Sequence, residues 1–399
     1  MTKGFSRRGF LKGAGAAGAL TVAPPLAGAG TGNMDWPPDE GEGVPKLCLG
    51  IGAGADPKQM RKFKQIGIDH VLMGGGPMPW TEAGLQKVFD RFAEGGLTVA
   101  NMMIGGFPNT IYGRPGRDEE IDRFQQSVRA AGMVGLPVIE YNFYAHRLMK
   151  GYHEVPGRGG AGMTGYDYSM GKDLPPLPEV GTHTLEEMWA NITYFLEAVV
   201  PEAEEAGVRL ALHPNDPPVP LSRGSEQIMA TLDGWKKLIT IVDSPANGIT
   251  YDCGVTRELG EDPVEVCRYF GERDRINHVH FRNVIVKTHH VDYVEVFPDE
   301  GQANMFAVMK ELVRQKYSGA LYPEHPRALD ADRELEGFDP YYPGGGGYTG
   351  LTYNVAYAKA MLQAALSSSA YRRCSSRNAF VSSSTFGSSK PPWPPPSTV

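Results

Sequence analysis

Between residues 46 and 366 the chain alternates short apolar runs with longer amphipathic ones, eight times over, and few folds accommodate that rhythm. The apolar runs, predicted as strands, are Lys46–Gly52, His70–Gly74, Leu97–Ile104, Pro137–Phe143, Val208–Pro214, Gly248–Gly254, Ile276–Asn283 and Ala320–His325. The amphipathic runs, predicted as helices, are Pro57–Ile66, Thr81–Glu94, Asp118–Ala131, Leu185–Glu205, Ser225–Val242, Pro263–Gly271, Met305–Gln315 and Leu351–Ala365. Strands that alternate with helices imply a parallel sheet with crossover helices. Eight such units in order are what a (β/α)8 TIM barrel requires. A doubly wound open sheet competes, but "GIGAGAD" (50–56), after the first strand, lacks the G-x-G-x-x-G spacing of a phosphate-binding turn. The expectation is an α/β fold, a single TIM-barrel domain over residues 44–366. One interval breaks the rhythm: Ala145–His183 is rich in Gly, Pro and Tyr and has no clear period. It is predicted as a long loop insertion after the fourth strand, on the carboxyl face of the barrel, where a lid would sit.

Both ends fall outside this pattern. Arg7 and Arg8 precede Gly9-Phe10-Leu11-Lys12, an Ala/Gly-rich apolar stretch and the small-residue run "AGA" at 27–29. Residues 1–30 are therefore expected to be a twin-arginine signal peptide, read by the export machinery, which carries folded proteins to the periplasm or the exterior. Without that signal a cytoplasmic location would be expected. Residues 367–399, dominated by Ser and Pro toward the end, are expected to be a disordered tail.

Composition narrows the class. Forty-six acids against 39 Lys and Arg leave a net charge of −7 with no basic cluster, which disfavours nucleic acid as a partner. No apolar run beyond the first thirty residues is long enough for a membrane span. Four cysteines, far apart and without a C-x-x-C pair, do not make a disulfide framework. The sequence leaves homo-oligomerisation open.

In a barrel of this kind the side chains at the carboxyl ends of the strands point into the active-site mouth. Those ends carry His213 after the fifth strand and Asp252-Cys253 after the sixth. The seventh supplies His278, His280 and Arg282, and the eighth Glu324-His325. Imidazole, thiolate and carboxylate are the common protein ligands of Zn²⁺, Mn²⁺ and Fe²⁺, so four adjacent strand ends with these groups point to a divalent metal site. Strand alternation puts His278, His280 and Arg282 on one side; His280, nearest the strand end, is the expected ligand and His278 a packed neighbour. His289 and His290, in the loop beyond, are expected to be solvated. After His213, Pro214, Pro217 and Pro218 stiffen the turn that presents the imidazole.

The segments "RLALHPNDPP" (209–218), "GITYDCG" (248–254), "HVHFRN" (278–283), "YPEHPR" (322–327) and "GGGYTGL" (345–351) resemble the mannonate dehydratases, metal-dependent lyases among the xylose-isomerase-like barrels. The resemblance extends over roughly 44–365. It implies a metal site of His213, Cys253, His280 and Glu324, occupied by Mn²⁺ or Fe²⁺. It further implies His325 and Tyr348 as the acid/base pair, with the two roles unassigned, and Arg282 and Asn142 facing a small sugar-acid substrate. The implied reaction is dehydration of D-mannonate to 2-dehydro-3-deoxy-D-gluconate. Two positions depart from the family pattern: Glu324 stands where Asp is usual, and Glu324-His325-Pro326-Arg327 replaces acid-His-Gly-His, which puts Arg327 at the substrate end. Two other functions stay open: a sugar isomerase or epimerase of the same barrel group, and an exported, non-catalytic sugar-acid binding protein.

Overall fold

The computed structural model describes the backbone of residues 37–38 and 41–383, with side chains through residue 368. Eight parallel strands close into a barrel: Lys46–Gly50, His70–Gly74, Thr98–Ile104, Val138–Tyr141, Arg209–Leu212, Asn247–Asp252, Ile276–His280 and Ala320–Tyr322. Each pairs with its sequence neighbour, and the last closes on the first through Lys46 with Ala320 and Leu47 with Leu321. These are the eight predicted strands, each within a few residues of its expected bounds. All but the second and third strands are shorter at their carboxyl ends than predicted, and the residues beyond, His213 and Glu324 among them, turn toward the site.

Most of the helices between strands start where their sequences supply caps. Asp56 and Thr184 form capping boxes with Gln59 and Glu187, satisfying amide donors that a helix start leaves unpaired. The helix Leu185–Ala206 packs Ile192, Phe195, Leu196 and Val199 against the barrel as part of the main core. Inside the barrel a smaller cluster of Cys48, Ala100 and Ala320 fills the floor below the site. The helix predicted from Ser225 begins only at Leu232, because Thr231 is its cap and Ser225–Glu226 pair instead with Leu221–Ser222.

The insertion after the fourth strand carries secondary structure that its aperiodic sequence did not announce. Tyr152–Pro156 and Gly162–Asp167 form a hairpin that pairs with a second hairpin, Asn283–Thr288 and Asp292–Val296, inserted after the seventh strand. The partner of each hairpin lies more than a hundred residues away, so no local period announces it. In the second hairpin His289 is exposed and His290 half-buried, with Nδ1 3.1 Å from the Pro218 carbonyl oxygen.

The last helix runs Tyr348–Ser383 and continues through part of the tail expected to be disordered. No proline interrupts it before Pro391. Residues 384–399 and the signal segment lie outside the described residues. Among the described residues no helix is long and apolar enough to cross a membrane.

Candidate metal centre and substrate cavity

Register brings the functional residues to one level. Asp252 pairs with His280, and His280 with Tyr322, two residues before Glu324. His213 follows its strand directly, its amide bonded to the Tyr141 carbonyl at 2.9 Å. Ligand atoms of His213, Asp252 and His280 lie within 4.8 Å of one another. His213 Nε2 is 3.1 Å from His280 Nδ1, and Glu324 Oε2 is 3.0 Å from the same nitrogen.

Neighbouring bonds set which nitrogen of each ring is free for a ligand role. His213 Nδ1 meets the Pro214 carbonyl at 2.7 Å, which leaves Nε2 facing the cluster. His280 Nε2 lies 3.4 Å from Glu140 Oε1, which leaves Nδ1 facing the cluster. Glu140 is itself fixed by Asn101 and Thr250, each at 2.8 Å. The tight turn after His213 is fastened through Asn215, whose Oδ1 accepts from the Met229 amide, and through Asp216, which accepts from Tyr152 and Arg147.

The electrostatics of the cluster call for a cation. Burial pushes the Asp252 carboxyl above the usual range, with Glu324 adding to it against Arg282. Burial opposes charge on His280, yet Glu324 and Glu140 hold it up to about 9. Glu324 itself, against the pull of burial, is held well below the usual carboxylate range by His280 and His325. Closely set buried carboxylates thus retain positive charge on an imidazole, a demand that a divalent cation also meets. His278, beneath His280, is fully buried with neither ring nitrogen hydrogen-bonded, and burial lowers its pKa to about 4. Two imidazoles and two carboxylates suit Mn²⁺, Fe²⁺ or Zn²⁺ on donor chemistry, so the residues fit a divalent metal.

Three expected residues sit elsewhere. Cys253 does not reach the cluster. Alternation turns Thr250 and Asp252 inward and Cys253 outward, at the start of the helix Cys253–Glu258 that Asp252 caps through the Val255 amide at 2.8 Å. The thiol is sealed in the core between barrel and helices, and burial pushes its pKa up. Asp252 takes the position expected of Cys253. Arg282 does not face the cavity. Its guanidinium lies beneath the site, 3.0 Å from Asp252, 2.8 Å from Glu258 and 3.2 Å from Glu324, with Asp216 and Glu295 at 3.6 and 3.8 Å. Gly254 makes room for it, since a Cβ there would lie 2.7 Å from the guanidinium. Tyr348 points away altogether: its hydroxyl donates to the Lys62 carbonyl at 2.8 Å on the barrel's outside.

The cavity above the cluster has a volume of about 430 Å³, within the range of small-molecule sites. Glu140, Asn142, His213, His280, Glu324 and His325 line its inner part, and Tyr144, Arg147, Tyr341 and Tyr342 its outer part. Asn142 is thus placed as expected. Arg327 borders the cavity but gives its donors to the His325 carbonyl and to Glu295. Sequence reasoning missed Glu140 and Arg147. Glu140 shares the inward alternation of Asn142, a usable signal, whereas Arg147 lies in the aperiodic insertion, where no signal exists.

A closed parallel barrel with imidazoles and carboxylates gathered at the carboxyl ends of its strands is a metal-site TIM barrel. Comparison with known proteins makes this more specific. The sequence model of the D-mannonate dehydratase (UxuA) family matches residues 179–371, and that of the twin-arginine translocation signal matches residues 4–24. A mannonate dehydratase of Streptococcus suis (strain 05ZYH33) is 30% identical over 311 residues, covering 70% of this chain and 84% of its own length. One of Thermotoga petrophila is 29% identical, over 72% of this chain and 90% of its own. The chain belongs to the mannonate dehydratase family. The crystal structure of mannonate dehydratase from Streptococcus suis serotype 2 superposes with a TM-score of 0.73 at 26% identity, over 82% of this chain and 96% of that one. A structure of L-ribulose 3-epimerase, at 14% identity and a TM-score of 0.51, shares the fold over 86% of this chain and 100% of its own.

Proposed function

We propose that this chain is a hydro-lyase that, with a divalent metal, converts D-mannonate to 2-dehydro-3-deoxy-D-gluconate beyond the cytoplasmic membrane, after twin-arginine export. The observation that carries the reading is the gathering of His213, Asp252, His280 and Glu324 beneath a cavity that His325 borders, in a chain of this family. These four residues would hold Mn²⁺ or Fe²⁺. When bound, the cation supplies Lewis-acid stabilisation to the negative charge that develops on the substrate carboxylate.

The chain's own groups do the rest. His325 takes the proton from C2 of the acid through Nε2, the nitrogen turned away from Glu295. The C2–H electrons become the C2=C3 double bond as the C3–O bond breaks. The departing hydroxyl receives a proton from the imidazolium and leaves as water. The resulting enol then takes a proton at C3, releases the proton of its C2 hydroxyl and becomes the 2-keto acid. Asn142 offers an amide to substrate hydroxyls, and Tyr342, its ring 5.0 Å from that of His325, limits water beside the transferring proton. Arg282 stays out of the reaction and neutralises the carboxylates that hold the site together.

The test is to load the protein with Mn²⁺, add D-mannonate and assay for the 2-keto-3-deoxy acid, with His325→Ala in parallel. Product formation that falls by about 10³-fold or more in the variant while metal is retained supports the reading. Epimerised or isomerised acid without keto-deoxy product, or saturable binding without turnover, overturns it.

A further inference from the structure

Glu295 belongs neither to the metal cluster nor to the cavity wall, yet it is 1% exposed and carries one of the most tightly held carboxylates near the site. It stands on Asp292–Val296, in the hairpin outside the barrel. Its Oε2 accepts from His325 Nδ1 at 2.7 Å and from Arg327 Nη2 at 3.0 Å. Arg327, fully buried, also donates to the His325 carbonyl from Nε and Nη2, at 3.0 and 2.7 Å, and to the Glu295 carbonyl at 3.2 Å. The backbone of His325 has φ +46°, a left-handed conformation that a non-glycine residue keeps only when its surroundings enforce it. Arg327 is that enforcement, because it grips the carbonyl of the strained residue. The glycine run beyond supports Arg327 in turn: a Cβ on Gly346 would lie 2.2 Å from the Arg327 carbonyl oxygen.

We propose that Glu295 is the positioning residue for His325, fixing its tautomer and aiming Nε2 at the substrate, with Arg327 locking both partners. This rests on the assignment of His325 under Proposed function. A carboxylate on Nδ1 keeps the proton there and leaves Nε2 as the base, the arrangement by which a buried acid orients an imidazole in hydrolytic triads. It also gives a purpose to Arg327, which borders the cavity yet spends its donors on the His325 carbonyl and Glu295. The arginine serves the histidine before it rather than the substrate. The second hairpin thereby becomes part of the active site, although no residue of it lines the cavity.

A double-mutant cycle tests this. Turnover of D-mannonate is measured for wild type, Glu295→Gln, His325→Ala and the double variant, each with its metal content determined. Glu295→Gln is expected to lower kcat by about 10²-fold, with KM little changed and metal retained. In the His325→Ala background the same substitution is expected to cost nothing further. A Glu295→Gln variant with near-wild-type kcat, or one whose loss persists undiminished in the His325→Ala background, overturns the proposal. The His325→Ala variant alone reports on the underlying assignment, so the two failures are distinct. If Glu295→Gln does not fold, Glu295→Asp, which keeps the charge but shortens the reach, replaces it with the same expected direction. In wild type, ¹⁵N NMR of histidine-labelled protein should show His325 protonated and hydrogen-bonded at Nδ1; an Nδ1 without that proton also overturns the proposal.

Discussion

Asp252 and Cys253 are adjacent, both buried and both able to bind metal, so substituting each in turn separates geometry from residue type. Asp252→Asn keeps the shape and the side-chain oxygen that caps the helix at Val255, and removes one negative charge from the cluster. Loss of an anionic ligand from a four-residue set is expected to weaken Mn²⁺ binding by about 10²-fold or more, close to 2.7 kcal/mol. At an Mn²⁺ concentration 100 times the wild-type Kd, metal stabilises wild type by about 2.7 kcal/mol. The same concentration stabilises Asp252→Asn by only about 0.4 kcal/mol. Cys253→Ala removes one buried sulfur from the outer core, a cost of about 1 kcal/mol with or without metal, and leaves Mn²⁺ affinity unchanged. Calorimetric titration with Mn²⁺, together with unfolding curves with and without the ion, measures both quantities. A Cys253→Ala protein that loses Mn²⁺ while Asp252→Asn retains it would refute the assignment.

Three further outcomes follow from the same geometry. Tyr348→Phe should leave kcat within about twofold, since the hydroxyl bonds only to Lys62 on the outside of the barrel; a large loss of kcat with KM intact would return Tyr348 to the site. Arg282→Met should destabilise the fold by about 3–5 kcal/mol in urea unfolding, because Asp252 and Glu258 lose their buried counter-ion; a raised KM with unchanged stability would mean that the guanidinium serves the substrate. Burial works against charge on Asp216, but Arg282 and Arg147 hold its pKa down to about 2, below its unfolded value. Its contribution, about 2–3 kcal/mol, is therefore fully present above pH 4 and lost as the pH falls toward 2. The stability gap between wild type and Asp216→Asn, from urea midpoints, should narrow over that window, and a gap independent of pH would contradict the charge pairing.

The barrel was legible because its signal is local and repeated: each strand is a short apolar run and most helices carry their own cap. His213, His280, Glu324 and His325 were legible for a related reason, as polar groups at the ends of apolar strands. Cys253 was expected from the likeness to a cysteine-containing site, whereas strand alternation through Thr250 turns Asp252 toward the cluster. Glu140 was open to the same argument, two residues before Asn142 on one strand. Arg282 shares the inward face of His280, but a long side chain can turn back beneath the site, and five carboxylates draw it there. Tyr348 resembles a site tyrosine in its glycine-rich setting, yet as the first residue of the last helix it faces Lys62. The paired hairpins were illegible, since each partner lies more than a hundred residues away, and so was Glu295, since only that pairing brings its strand to His325 and Arg327.

The central claim is that this cavity dehydrates D-mannonate with His325 as the proton-transfer group. Proton NMR of the Mn²⁺-loaded protein with D-mannonate in D2O tests it most directly. The account predicts loss of the mannonate signals and growth of 2-dehydro-3-deoxy-D-gluconate carrying one solvent deuterium at C3, with both changes slowed by about 10³-fold or more in His325→Ala. Deuterium appearing at C2 of an aldonic acid, with no keto-deoxy product formed, would contradict it.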